Sequence, residues 1–265
     1  YELLGAGQLS DVTNRYSPVQ VGTNTWNSVV SYYHTLAIRS DNTLWSWGSN
    51  QYGQLGLSDT TDRSSPVQVG TSNGWSSIAC GYYHTIAIRS DNTLWSWGRN
   101  DSGQLGLSNT TDRSSPVQVG TNTWSKIACG YRHSLAIRSD NTLWSWGRNA
   151  DGQLGLSDIV NRSSPVQVGT NTWSKIAAGY RHSLAIRSDS TLWSWGNNSY
   201  GQLGLSDTTH RSSPVQVGTN TWSKVTGGAG HSLVIRSDNT LWSWGWNNYG
   251  QLGLNYISVS YTHLT

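Results

Sequence analysis

The chain has 265 residues, of which only 12% are charged, and its formal net charge is +3. Its Lys and Arg are scattered singly or in pairs, which excludes the concentrated basic face of a nucleic-acid binder. No apolar run reaches the length of a membrane span, and two cysteines, Cys80 and Cys129, build no disulfide framework.

Met and Phe are absent while Trp reaches 16, so indoles together with Val, Ile and Leu must carry the core. No signal peptide is visible, but the chain begins at Tyr1, so that absence carries no weight. In chain order, residues 1–10 (YELLGAGQLS) are a degraded copy of a GxNxxGQLGLS stretch that recurs later. SPVQVG follows at 17–22 and returns at 65–70, 115–120, 164–169 and 213–218. TLWSWG occurs at 43–48, 93–98, 142–147, 191–196 and 240–245, a step of 49 or 50 residues. One unit repeated five times therefore makes up residues 1–254, read as a single domain. Residues 255–265 match no repeat; SVSYTHLT (258–265) resembles a translated sequencing adapter, so this tail is set aside as an artefact of an environmental reading frame.

The third unit illustrates the elements. PVQV (116–119) opens with Pro and suits a short edge strand. WSKIACG (124–130) reads as the innermost strand. SLAIRSD (134–140) alternates, with Leu135 and Ile137 on one face. Asp140-Asn141 predicts a two-residue turn into TLWSWG (142–147), which sets Trp144 and Trp146 on one face. VGTNTW reads as a linker, and no stretch combines helical period with caps. Four short antiparallel strands per unit predict an all-β protein, a β-propeller of four-stranded blades built from five repeats. Two closures fit this register. Either residues 18–21 complete the last blade and close a five-bladed ring, or the five units are a window of a longer array.

The motif WSWGxNxxGQLG, then SPVQV, GxxHS/T and LAIRSDNTLW, resembles the regulator-of-chromosome-condensation repeat family over about residues 5–254. The resemblance implies a propeller, which in that family has seven blades, so five units would be a fragment of one. Members include a guanine-nucleotide exchange factor, an ultraviolet-B photoreceptor, secreted enzyme inhibitors and interaction domains; fold alone does not choose among them. The exchange factor carries an inserted wedge, and units of 49 or 50 residues leave no room for one here. The photoreceptor carries Gly-Trp-Arg-His-Thr. The matching residues here are Gly130, Tyr131, Arg132, His133 and Ser134, and Gly179, Tyr180, Arg181, His182 and Ser183. Tyr stands at the chromophore position, so the same photochemistry is not expected.

His34, His84, His133, His182 and His231 hold one position in every unit. A catalytic centre needs a singular constellation, so these are read as scaffold, bonding to backbone at the start of the second strand. No Cys or carboxylate accompanies each copy at ligand spacing, and neither a metal nor a cofactor is expected. Cys80 and Cys129 occupy a position that takes Val30 and Ala178 elsewhere, as a small buried hydrophobe would. The singletons are Glu2, His210 and Trp246. No catalytic residue is assigned.

Differences between units carry more information. They concentrate in the turn after the inner strand and in the loop after WG, which a meander places on one rim, while the SDNT turns on the other rim scarcely change. Tyr82, Tyr83, Arg99, Tyr131, Arg132, Arg148, Tyr180, Arg181 and Trp246 are the candidate binding residues of the variable rim, a composition common in recognition hot spots. The expected activity is a non-enzymatic scaffold for a protein or peptide partner. A homodimerising sensor and a carbohydrate-binding propeller are the alternatives. Nucleic acid is not expected as a partner, and homo-oligomerisation is left open.

Overall fold

The computed structural model describes residues 13–254. Every regular element among them is a β-strand and every pairing is antiparallel. The first blade contains β1 (Trp26–Ser31), β2 (His34–Arg39), β3 (Leu44–Gly48) and β4 (Arg63–Gln68). The second has β5 (Trp75–Cys80), β6 (His84–Arg89), β7 (Thr93–Gly98) and the first part of β8 (Arg113–Cys129). β8 then continues as the inner strand of the third blade, followed by β9 (His133–Arg138), β10 (Thr142–Gly147) and the first part of β11 (Arg162–Ala178). The fourth repeats this with the rest of β11, β12 (His182–Arg187), β13 (Thr191–Gly196) and the start of β14 (Arg211–Gly227). The fifth holds the rest of β14, β15 (His231–Arg236) and β16 (Leu241–Gly245).

Two sequence expectations about these strands are corrected. PVQV is not a separate short edge strand, nor is VGTNTW a linker in the later units. Both lie in single strands of 17 residues that run from the outside of one blade to the inside of the next. The strand bulges where it crosses: Trp95 faces Gln118 but Thr93 faces Thr123. Gly120 supplies the left-handed residue at that point (φ +58°), a conformation that costs glycine little. Pro116 sits where the register shifts, so its missing N–H breaks no ladder bond.

The hairpin between second and third strands has three loop residues rather than two. Arg39 N–H donates to Thr43 O and Asn42 N–H to Arg39 O, and Asn42 is left-handed (φ 63°). This is a type I turn closed by a left-handed residue. The Asp side chain sets it, since Asp41 Oδ1 accepts from both the N–H and the hydroxyl of Thr43.

The core lies between blades. Leu36, Ile38, Leu44 and Val69 of the first blade pack on Trp75, Ile78, Ala87 and Trp97 of the second. Three more clusters repeat this pattern around the array. Every blade thus has an outgoing Leu/Ile face and an incoming Trp/Ala face. A buried Leu or Trp contributes about 2–3 kcal/mol, so most of the stability resides at these junctions. A third tryptophan heads each inner strand. Trp124 meets Trp144 and Trp146 edge-on at 6.3 and 6.1 Å, and the Arg138 guanidinium lies 3.6 Å from the Trp144 ring centroid.

The array is not closed among the described residues. β1 bonds only to β2, and β16 only to β15. Residues 18–21, expected as a closing strand, belong to no strand and are exposed. The outgoing face of the last blade is bare: Leu241 is 68% exposed where Leu44, Leu94, Leu143 and Leu192 are fully buried. The incoming face of the first blade is also uncovered, with Val29 64% exposed against 8% for Ile78. The degraded copy at 1–10 with Glu2, and the tail at 255–265, lie outside the described residues.

Candidate functional site

In the second to fifth blades the inner hairpin closes when a glycine N–H meets the carbonyl of the histidine three residues on, as in Gly81 N–H to His84 O (2.9 Å) and Gly130 N–H to His133 O (2.9 Å). The two intervening residues form the tip. Tyr82-Tyr83, Tyr131-Arg132 and Tyr180-Arg181 therefore stand on one rim. The loop after the third strand docks there too: Arg99 N–H donates to Tyr83 O (2.8 Å) and Arg148 N–H to Arg132 O (2.8 Å). The first tyrosines also lace neighbouring blades. Tyr82 N–H donates to Tyr131 O (3.3 Å), Tyr131 N–H to Tyr180 O (3.1 Å) and Tyr180 N–H to Gly228 O (3.2 Å).

Their rings form a continuous ladder over four blades. Ring centroids are 4.7 Å apart for Tyr33–Tyr82, 4.6 Å for Tyr82–Tyr131 and 4.2 Å for the stacked pair Tyr131–Tyr180. Tyr83 joins through Tyr82 at 4.4 Å and Tyr52 through Tyr83 at 5.0 Å. A cavity of about 200 Å³ lies at the centre, lined by Tyr32, Tyr131, Tyr180, Cys129 and the surrounding glycines. Two ladder phenols are pushed above their ordinary range. Tyr82 is pushed up chiefly by its hydrogen bond with Tyr33, and Tyr180 chiefly by burial, then by Tyr131.

Arginines flank the ladder. The Arg99 guanidinium lies 4.6 Å from the Tyr52 ring centroid, and that of Arg132 lies 5.0 Å from Tyr131. Asp101 bridges the blades, at 2.7 Å from Arg99 and 3.1 Å from Arg132. Burial alone pushes the Asp101 carboxyl up. The Gln104 hydrogen bond and the Arg132 and Arg99 charges outweigh this and hold it below the usual carboxylate range. One blade on, Arg181 and Asp151 are 4.0 Å apart, and the Arg181 side chain is more exposed. Two of the nine sequence candidates stand apart. Arg148 makes no ion pair or ring contact among the described residues. Trp246 belongs to a second aromatic group, stacked on Tyr200 (5.7 Å) and edge-on to Tyr249 (5.3 Å). Tyr32, Tyr33 and Tyr52 were legible as variable rim residues. The bridging role of Asp101 was not, because no spacing rule links residues 31 positions apart.

The histidines bond differently from expectation. For the first four the partner is a hydroxyl of the next blade, not backbone: His84 Nε2 meets Ser134 Oγ at 3.0 Å and His133 Nε2 meets Ser183 Oγ at 3.1 Å. Ser134 in turn donates to Gln104 O (2.9 Å), so its proton is committed and His84 Nε2–H must be the donor. Burial holds these imidazoles neutral, at about 4 for His34 and His182 and about 3 for His84 and His133. Burial also pushes the Cys80 thiol up to about 12 and raises Cys129 well above its ordinary value, which quenches thiolate chemistry. His210 accepts from Asn198 N–H (2.8 Å), the bond that Asp62 and Asp112 make in other blades. Among the described residues no three His, Cys, Asp or Glu side chains converge to hold a metal.

The regulator of chromosome condensation (RCC1) repeat pattern matches residues 41–88, 91–137, 140–186 and 189–235, most of the chain. The chain belongs to this repeat family. A second form of the pattern matches 75–104, 124–153, 173–202 and 222–251. No curated protein matches significantly. Among solved structures, human WBSCR16 is similar at 22% identity and TM-score 0.76, covering 86% of this chain and 64% of its own; that likeness speaks for the fold alone. Yeast RCC1 (Prp20), solved with Kap60, is 25% identical with TM-score 0.74, covering 83% of this chain and 56% of its own. Saccharomyces cerevisiae Prp20p, described with its binding to Gsp1p and histones, is 26% identical with TM-score 0.72, covering 82% and 56%. This member of the RCC1 repeat family therefore spans less than two thirds of each. It shares their β-propeller architecture, and the matched pattern runs from a hairpin turn of one blade to the second strand of the next, straddling two blades.

Proposed function

We propose that this propeller is a non-enzymatic interaction scaffold that holds a protein or peptide on its variable rim. The observation that carries this reading is the tyrosine ladder crossing four blades with Arg99, Arg132 and Arg181 beside it. Rigid aromatics present contact area at low entropic cost, and arginine adds directional donors. Tyr32 and Tyr33 are still 51% and 53% exposed, so the ladder has surface to offer. The structural tasks of the histidines and thiols support a binding role over catalysis. The yeast relatives, described with Kap60, Gsp1p and histones, lend the reading precedent.

Replacing Tyr131, Arg132, Tyr180 and Arg181 by Ala should abolish binding of peptides selected against the wild-type rim while leaving the melting temperature within a few degrees. Selected peptides that bind the quadruple variant unchanged refute the proposal. The second aromatic group, Tyr200, Trp246 and Tyr249, favours a carbohydrate reading at the fifth blade, since sugars stack on such faces. A glycan array probed with wild type and Trp246→Ala tests it. Blade number belongs to the same reading: the bare end faces favour an arc that meets a further blade-like surface over a five-bladed ring closed by residues 18–21.

A further inference from the structure

At the axial mouth opposite the rim, the innermost strands begin. Position two after the leading tryptophan is Ser28, Ser77, Lys126, Lys175 and Lys224 in successive blades. The three lysines are in register, facing Ile137, Ile186 and Ile235 of their neighbouring strands. All three line one open cavity of about 540 Å³, together with Ser77 and Ser125. All are exposed, and among the described residues none pairs with a carboxylate. The carboxylates at this end of the blades are engaged elsewhere: Asp140 and Asp189 each accept from the threonine two residues on.

We infer that this mouth is a binding site for a compact polyanion carrying several phosphate groups. The serines of the first two blades show that the repeat folds without lysine here, so the charge is not needed for packing. Three lysines from consecutive blades line one hollow, and among the described residues no carboxylate pairs with them. Like charges lining one hollow add to a single positive field, and an anion lying between them relieves their mutual repulsion. Lysine on a long stem serves as a point-charge phosphate binder that needs no fixed geometry. The site lies on the opposite mouth from the tyrosine ladder, uses none of its residues, and stands or falls separately from the rim.

The probe is inorganic tripolyphosphate, titrated calorimetrically at low ionic strength. One anion per chain should bind, with affinity falling as NaCl is added. Lys126→Gln, Lys175→Gln and Lys224→Gln combined should weaken it roughly tenfold or more, and Ser77→Lys should strengthen it. Arg132→Gln with Arg181→Gln should leave it unchanged. The lysines are exposed, so near-ultraviolet circular dichroism should report an unaltered fold in the triple variant. No saturable binding, equal binding by the lysine triple variant, or loss only in the rim variant overturns the assignment. Duplex DNA binding in place of tripolyphosphate does so too.

Discussion

Single side chains decide how this protein tolerates acid. His84 and His133 sit fully buried with Nδ1 unpartnered and Nε2–H committed to a hydroxyl of the next blade. Protonation would place a bare cation at a blade junction. Their folded pKa, about 3, lies below the ordinary histidine value of 6.5, so the neutral form is the one that folding favours. This contribution is complete above about pH 6.5 and is lost as pH falls from there towards 3 or 4, at about 1.4 kcal/mol per histidine per pH unit. Urea midpoints should therefore drop between pH 7 and pH 5, and His84→Gln should flatten that slope; a midpoint constant over this range contradicts the account. Glycines act at the same scale. Gly106 has φ +72°, and a Cβ there would stand 2.9 Å from Trp146 Nε1, the group that donates to Gln104 O. Gly106→Ala should cost about 2 kcal/mol or more in chemical denaturation.

Strands show what the sequence could and could not tell. The second and third strands were legible because Leu135, Ile137, Trp144 and Trp146 alternate and Asp-Asn marks the turn. The crossing strand was not. Gly120 to Thr123 are all exposed, with no apolar alternation to betray a strand. They belong to the strand because the pairings on either side, Trp95 with Gln118 and Trp124 with Arg138, hold them in two blades at once. The same blindness hid the leading tryptophans and the lysine arc, since positions facing the axis follow no period-two signal. The rim was legible as variation between copies, and the ladder's geometry was not, because ring contacts such as Tyr131–Tyr180 join residues 49 positions apart in sequence. Gly120 offers a test. Nothing but its φ resists a side chain, since a Cβ would meet only Asn122 Nδ2 at 4.0 Å. Gly120→Asn should be nearly neutral, while Gly120→Val should cost about 1–2 kcal/mol by thermal unfolding.

Across the whole molecule the two ends matter most. Leu233, Ile235 and Leu241 belong to the outgoing face that the four internal junctions bury, and Val29 opens the complementary one. Such heterologous surfaces invite head-to-tail contact. Leu241→Ser, at a side chain 68% exposed, should reduce concentration-dependent association in analytical ultracentrifugation without lowering the melting temperature; unchanged sedimentation argues against it. The offset between repeat and blade carries a further consequence. The matched pattern starts in one hairpin turn and stops at the end of the strand that leads into the next, so each repeat of the sequence encodes the third and fourth strands of one blade and the first and second of its successor. An unequal crossover that duplicates or deletes one cassette therefore joins halves that already fit. Lineages can change blade number in a single recombination event, with no new interface to evolve, and alleles of this gene should differ in length by multiples of the 49- or 50-residue step.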